Sequence, residues 1–220
     1  MPWPCAPGTS EHRLLAAQRL QKLAIDLCRS HGIAIDVQGV VPDKPVVMVA
    51  NHVSYVDTLV LPSLVPATCV AKKEVAAWPG VGGLAASFGT LFVERGNPHS
   101  GAVALRQALR ALSAGVSVIA FPEGTTSPGD RLLPFHRGIF GLAILQNVPV
   151  LPITLTYSDS SVAWVGEDPF LNHYLRVASR RETRVTVRVA PLLSPRLFGG
   201  ARALAKAAQL VIAEGLRRSR

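Results

Sequence analysis

The sequence predicts an α/β fold, a single domain whose mixed, mostly parallel sheet is flanked by helices. Short runs rich in β-branched residues alternate along the chain with segments of helical periodicity. This alternation is typical of parallel strands joined by helices. The length of 220 residues also suits one domain that buries a substantial core.

Three helices and six strands follow from these patterns. The first helix is expected over residues 11–30 with Ser10 as its N-cap, the second over residues 99–113 and the last over residues 201–218. The predicted strands cover residues 46–50, 68–71, 91–94, 116–121, 150–156 and 184–190.

The N-terminal segment is predicted to be a separate unit. Residues 1–35 are expected to form a unit consisting mainly of a basic amphipathic helix, and residues 36–220 the α/β domain. Apolar side chains such as Leu20 and Leu27 alternate in this helix with basic ones such as Arg19. Two interpretations stay open: the helix docks on a membrane surface, or it packs on the domain with its charges in water.

The overall charge favours an anionic partner. Lys and Arg number 23 against 14 Asp and Glu, a net charge of +9 that suits phospholipid, phosphorylated ligands or nucleic acid. The cysteines Cys5, Cys28 and Cys69 are far apart and lack CxxC spacing, so neither a disulfide framework nor a zinc site is expected. A secretory leader and an apolar run of about 18 residues are not recognised. The sequence therefore predicts a peripheral protein on the cytoplasmic face of the cell membrane.

The first candidate chemistry lies in residues 51–57, directly after a predicted strand. On an ideal helix, His52 and Asp57 would point about 140° apart, so the two side chains meet only if His52 lies in the turn before the helix. The carboxylate would then hold one imidazole nitrogen protonated and leave the other to accept a proton from a hydroxyl. A purely structural histidine is the alternative interpretation of this pair.

Two further segments end predicted strands. Arg95 follows an apolar strand and is suited to binding an anion, with an ion pair to Glu94 as the alternative. Residues 121–127 read FPEGTTS, where Gly124 permits a tight turn and three hydroxyls can donate to oxygen atoms. An ordinary turn would have the same composition.

Taken together and in this order, these segments resemble the glycerolipid acyltransferase family, which includes the 1-acylglycerol-3-phosphate acyltransferases. The resemblance covers roughly residues 45–190. It rests on Asn51, His52, Asp57, Arg95 and the FPEGT of residues 121–125.

The resemblance implies that an acyl group passes from acyl-CoA or acyl carrier protein directly to the free hydroxyl of a lysolipid. His52 would be the general base, oriented by Asp57, without an acyl-enzyme and without a cofactor or metal. The chain also lacks a GxSxG nucleophile elbow, which agrees with direct transfer. The acceptor and its anionic group are expected at Lys73, Arg95, Glu123, Gly124, Thr125 and Thr126. The sequence makes no prediction of an oligomeric state.

The acceptor remains open between two lipids. Many family members carry an arginine directly after EGT that grips a phosphate, whereas this chain has Thr126. Residues 121–138 and 163–168 are similar to the branch that acylates lyso-ornithine lipid. In the phosphate-bearing alternative, Lys73, Arg131 or Arg137 takes over the anion contact.

An acyl chain would need an apolar channel. Trp78, Phe88 and Pro152 are candidate lining residues, since Trp78 and Phe88 flank a glycine-rich stretch and Pro152 lies in a strand entered through prolines. Ordinary core packing is the alternative for each of them.

Two other classes of function fit less well. A nucleic-acid-binding protein is suggested by the basic strand with Arg184 and Arg188, but aromatic residues are only 6% and no recognised binding motif is present. A metal hydrolase is suggested by His52, Asp57 and Glu123, but no HxH or HExxH pattern occurs.

Overall fold

The computed structural model describes residues 8–219 except residues 79, 95 and 167. This part of the chain forms seven α-helices and one seven-stranded sheet. The helices are α1 (Ser10–Ser30), α2 (Asp57–Leu64), α3 (Val81–Ser87), α4 (Pro98–Ser113), α5 (Gly138–Gln146), α6 (Phe170–Ala178) and α7 (Ala201–Arg217). The strands are β1 (Ile33–Gln38), β2 (Val47–Ala50), β3 (Ala67–Lys72), β4 (Leu91–Val93), β5 (Ser117–Ala120), β6 (Val150–Tyr157) and β7 (Thr183–Val189).

The sheet has the order β1-β7-β6-β2-β5-β3-β4. Five of its six neighbouring pairs are parallel, and only β6 and β7 pair antiparallel. The predicted mixed, mostly parallel sheet is therefore confirmed. Because β2, β5 and β6 run in the same direction as neighbours, their carboxyl ends meet at one edge of the sheet.

The core lies on both faces of the central strands, which explains why these strands are continuously apolar. On one face, Met48 of β2 belongs to a cluster that includes Leu61 of α2. On the other, Val49 of β2 belongs to a cluster that includes Phe140 of α5 and Ile212 of α7. Helices therefore cover both faces of the sheet.

The N-terminal helix packs on the domain. Ala17 and Ala24 of α1 are buried, and Thr9 is the N-cap in place of the predicted Ser10, with its hydroxyl accepting the N–H of His12 at 3.1 Å. Its last turn leads into β1, an edge strand that was not predicted and in which only Ile33 is buried. The expected boundary between residues 35 and 36 falls inside β1.

The six predicted strands and three predicted helices are confirmed to within about two residues. Along β7, Val185, Val187 and Val189 are buried and alternate with more exposed side chains, as the period-two pattern predicted. Within the described residues, every helix falls short of the length and apolar character needed to cross a bilayer.

Candidate active site

Two neighbouring strands end at the predicted motifs. Val49 of β2 pairs with Ala120 of β5, so the chain leaves both strands side by side at the same edge of the sheet. The segment after β2 contains His52, and the segment after β5 contains Glu123. The α/β topology thus brings together motifs that lie about 70 residues apart.

His52 and Asp57 form the predicted pair. Helix α2 begins at Asp57, so His52 lies in the preceding turn, as the spacing required. Nδ1 of His52 is 2.8 Å from Oδ2 of Asp57. The Asp57 side chain is fully buried, whereas that of His52 remains 17% exposed. Within the described part of the chain, no hydrogen bond occupies Nε2 of His52, which is therefore placed to accept a proton.

The buried carboxylate of Asp57 is satisfied by four donors. Besides His52, Oδ2 accepts the backbone N–H groups of Val53 at 2.7 Å and Ser54 at 3.0 Å. Oδ1 accepts the hydroxyl hydrogen of Tyr157 at 2.5 Å. A buried charge is costly unless hydrogen bonds compensate for the lost water, and these bonds supply that compensation.

Glu123 fastens two loops to each other. Its Oε1 accepts the backbone N–H of His52 at 2.9 Å, and its Oε2 accepts that of Leu133 at 2.9 Å. Burial raises the pKa of Glu123, while these two hydrogen bonds and one with Ser127 act in the opposite direction. Through these bonds Glu123 holds the loop to the His52 turn, and its expected contact with the acceptor stays a prediction.

The imidazole ring of His52 is also held by a stacking contact. The ring of Phe121 stacks on that of His52 with centroids 4.0 Å apart and planes 16° from parallel. The backbone carbonyl of His52 accepts the N–H of Ser127 at 2.7 Å. The residues that flank Glu123 in the FPEGTTS segment therefore fix the orientation of the histidine.

Asn51 has a structural position. Its side-chain amide donates to the carbonyl of Leu155 at 2.9 Å and accepts the N–H of the same residue at 2.8 Å. These paired bonds join the end of β2 to β6 inside the core, where unpaired backbone groups would be costly.

The predicted acceptor-binding residues that follow Glu123 differ in conformation, exposure and hydrogen bonding. Gly124 adopts a φ of +71°, the left-handed conformation that glycine tolerates best, and Thr125 beside it is exposed. The hydroxyl of Thr126 donates to the backbone carbonyl of Trp164. Because a hydroxyl has a single hydrogen, Thr126 cannot also donate to an anion while this bond persists.

Lys73 lies outside the His52 turn, in a 3-10 helix spanning Lys73–Ala77. Its side chain is 63% exposed and pairs with Glu94 at 3.1 Å. The expectation for Arg95 falls outside the described residues and stays a prediction.

The three candidate channel residues lie in different surroundings. Trp78 packs against the rings of Trp164 and Phe170, with centroids 5.6 and 5.4 Å away. Phe88 borders a separate cavity of about 270 Å³ beside α1. Pro152 is buried in β6, the strand that lies between β2 and β7. Their role as lining residues of an acyl channel stays a prediction.

The basic strand β7 uses its arginines within the protein. Arg184 pairs with Glu182 at 2.9 Å, and Arg188 donates to Gln38 and to the carbonyl of Gly215. Among the described residues, no three side chains of metal-binding type cluster together.

The acyltransferase family model matches residues 34–156, a range that contains both motif turns and the His52–Asp57 pair. The chain belongs to the acyltransferase family.

Curated relatives of this acyltransferase family member carry two kinds of name. The chain is 37% identical to a lyso-ornithine lipid O-acyltransferase of Pseudomonas aeruginosa, covering 69% of this chain and 60% of that protein. It is 31% identical to an enzyme of the same name from Rhizobium meliloti, covering 81% and 76%. A 1-acyl-sn-glycerol-3-phosphate acyltransferase of Neisseria gonorrhoeae is 34% identical, covering 59% and 51%. The matched regions thus span between half and three quarters of these relatives.

A solved structure shares the fold. The 1-acyl-sn-glycerophosphate acyltransferase of Thermotoga maritima superposes with a TM-score of 0.68 at 25% identity, covering 94% of this chain and 80% of that one. The family assignment and the α/β fold expected from the sequence are both confirmed.

Sequence reasoning missed two contributors to the site of this family member. Tyr157 lies at the end of β6 and bonds Asp57 across 100 residues of sequence. Trp164 follows β6 and bonds both motif turns. The available signal was their position, since β6 is a third strand whose carboxyl end reaches the same edge.

Proposed function

We propose that the chain transfers an acyl group from acyl-CoA or acyl carrier protein to the free hydroxyl of a lysolipid, with His52 as general base. One observation carries this proposal: Nδ1 of His52 is bonded to the buried Asp57, while Nε2 is unoccupied by the described residues. The family membership of the chain supports the same chemistry.

The proposed reaction is a direct transfer. Nε2 of His52 removes the proton of the acceptor hydroxyl as the hydroxyl oxygen attacks the carbonyl carbon of the thioester. Asp57 stabilises the imidazolium that forms. The carbon–sulfur bond then breaks, and the departing thiolate takes the proton from Nε2. The products are an ester and a free thiol, and His52 is regenerated as a neutral base.

Lyso-ornithine lipid is the acceptor that the site supports best. Thr126 occupies the position where an arginine would grip a phosphate, and its only hydrogen is donated to Trp164. The relatives from P. aeruginosa and R. meliloti carry the corresponding name.

A 1-acylglycerol-3-phosphate acceptor is the second candidate. It is favoured by the likeness to the T. maritima structure over 94% of this chain. Lys73, Arg95, Arg131 and Arg137 are the cations proposed to contact its phosphate, since each can pair with an anion.

The deciding experiment compares wild type with His52→Ala and with His99→Ala, the latter changing an exposed histidine of α4. Each protein receives radiolabelled acyl-CoA or acyl carrier protein together with lyso-ornithine lipid or lysophosphatidic acid. His52→Ala should lose about 10²- to 10⁴-fold in turnover, whereas His99→Ala should retain it. Full turnover by a folded His52→Ala protein would refute the mechanism, and the preferred lipid decides between the acceptors.

Peripheral association with the cytoplasmic face of the membrane is proposed from the net charge of +9 and the basic side chains of α1. Because α1 is packed into the core, deleting it would disturb the fold. Charge reversal at the exposed Lys22 and Arg29 is the cleaner change. Weaker co-sedimentation with anionic vesicles is expected for this variant, and undiminished binding would exclude α1 as the docking element.

A further inference from the structure

The backbone of Trp164 connects the two motif turns. Its N–H donates to the carbonyl of Val53, at 2.9 Å, within the turn that carries His52. Its carbonyl accepts the hydroxyl hydrogen of Thr126, which follows the EGT of the second motif. We call this arrangement, from Val53 through Trp164 to Thr126, the Trp164 bridge. One residue from a third strand end is therefore bonded to both loops of the candidate site.

The segment around Trp164 is also held by hydrogen bonds and an ion pair to residues outside these two loops. The indole Nε1 of Trp164 donates to the carbonyl of Asp168 at 2.8 Å, and the Asp168 carboxylate pairs with Arg176 of α6 at 2.5 Å. Nε2 of the buried His173 lies 3.2 Å from the carbonyl of Ala163. The bridge thus has a fixed support, which a positioning element requires.

Aromatic packing adds to this support. The Trp164 ring lies 5.9 Å from that of Tyr55, 5.6 Å from that of Trp78 and 5.9 Å from that of Phe170, all in edge-to-face contacts. Tyr55 belongs to the same turn as His52. The ring contact with Tyr55 therefore adds to the hydrogen bond between the Trp164 backbone N–H and Val53, and both join Trp164 to the His52 turn.

We propose that Thr126 and Trp164 are positioning residues for the transfer reaction. The bridge sets the separation between the His52 turn and the loop of residues 121–127, and so aligns Nε2 of His52 with the acceptor hydroxyl. This inference rests on the proposed function. It assigns Thr126 to the alignment of the base, where the sequence suggested an anion contact. A small misplacement of a reacting group is enough to reduce turnover strongly, even when substrate still binds.

The test uses conservative variants in the full chain. Thr126→Val keeps the shape and removes the donor, and Thr126→Ser keeps the donor. Thr154→Val is the matched control, because Thr154 is a buried threonine of β6 whose hydroxyl bonds to Ile212 of α7, outside the candidate site. For Thr126→Val, kcat should fall about tenfold with the acceptor KM within about twofold, as loss of one hydrogen bond implies. Thr126→Ser should recover most of the kcat, and Thr154→Val should keep that of wild type.

A second readout needs no substrate. The ring-proton NMR resonance of His52, assigned by its disappearance in His52→Ala, should shift in Thr126→Val and return towards the wild-type position in Thr126→Ser. If wild type turns over neither lipid but the resonance follows this pattern, the proposed function fails and the bridge stands. If Thr126→Val matches wild type in both kcat and resonance, or if serine fails to rescue, the positioning role is overturned.

Discussion

The hydroxyl of Tyr157 donates a 2.5 Å hydrogen bond to Oδ1 of Asp57, on the side of the carboxylate opposite His52. Tyr157 ends β6 and Asp57 begins α2, so the bond links two elements that are distant in sequence. Burial raises the pKa of Tyr157 well above its ordinary value, and the Asp57 charge adds to this shift. The hydroxyl therefore remains a donor at neutral pH.

Replacing Tyr157 with phenylalanine should lower kcat by about tenfold to a hundredfold, because a hydrogen bond to a charged group contributes about 1.5–3 kcal/mol. The substitution leaves the ring in the core and removes only the donor. Tyr174→Phe is the control, since its hydroxyl bonds His31, between α1 and α6. Steady-state assays of both variants check this prediction, and equal losses in the two would contradict a specific role for Tyr157.

His52 and Asp57 should act as a unit. We expect His52→Ala and Asp57→Asn each to reduce turnover by about 10²-fold or more, and the double variant to lose little beyond His52→Ala. The reason is that Asp57 contributes through the imidazole, to which it is bonded at 2.8 Å. A double-mutant cycle in kcat/KM measures the coupling. Losses that simply multiply would show that Asp57 acts independently of His52.

His173 should make stability depend on pH. Burial is the largest cause that lowers the pKa of this imidazole, Arg176 and Arg180 lower it further, and Asp168 together with the bond to Ala163 opposes the shift. Below about pH 6.5 the unfolded chain therefore takes up a proton that the native state resists, so the stabilising contribution of neutral His173 is lost as pH falls towards the native pKa.

Urea unfolding of wild type and His173→Gln at pH 7.5, 6.5 and 5.5 measures this contribution. The free energy of unfolding of wild type should fall more steeply with decreasing pH than that of the variant. Parallel pH dependence in the two proteins would remove His173 as the cause.

Two helix glycines should respond to alanine in opposite directions. A Cβ at Gly215 of α7 would lie 2.1 Å from Oγ1 of Thr154, so Gly215→Ala should cost about 1–3 kcal/mol through overpacking. A Cβ at Gly141 of α5 would meet no atom within 4 Å, and Gly141→Ala should stabilise by about 0.5–1 kcal/mol. Chemical denaturation of both variants gives the two values, and a stabilised Gly215→Ala would show that α7 can move away from β6.

The local pattern of apolar residues predicted most of the helices and strands. The central strands and the longer helices bury many apolar side chains, and these recur in the sequence with the period of a strand or a helix. Edge strand β1 was missed although Ile33, Ile35 and Val37 alternate with less apolar residues, because the expected boundary between residues 35 and 36 divides this short run.

The sequence by itself determined the strand-ending motifs and the demand that His52 lie in the turn before α2, because helix geometry over five residues is a local property. Only the tertiary structure decided that Glu123 holds the His52 turn, that Tyr157 donates to Asp57 and that Trp164 bridges both loops. These bonds join residues 38 to 111 positions apart, and they depend on which strands become neighbours. Strand order results from the packing of the whole chain, and the local alternation of apolar and polar residues does not encode it.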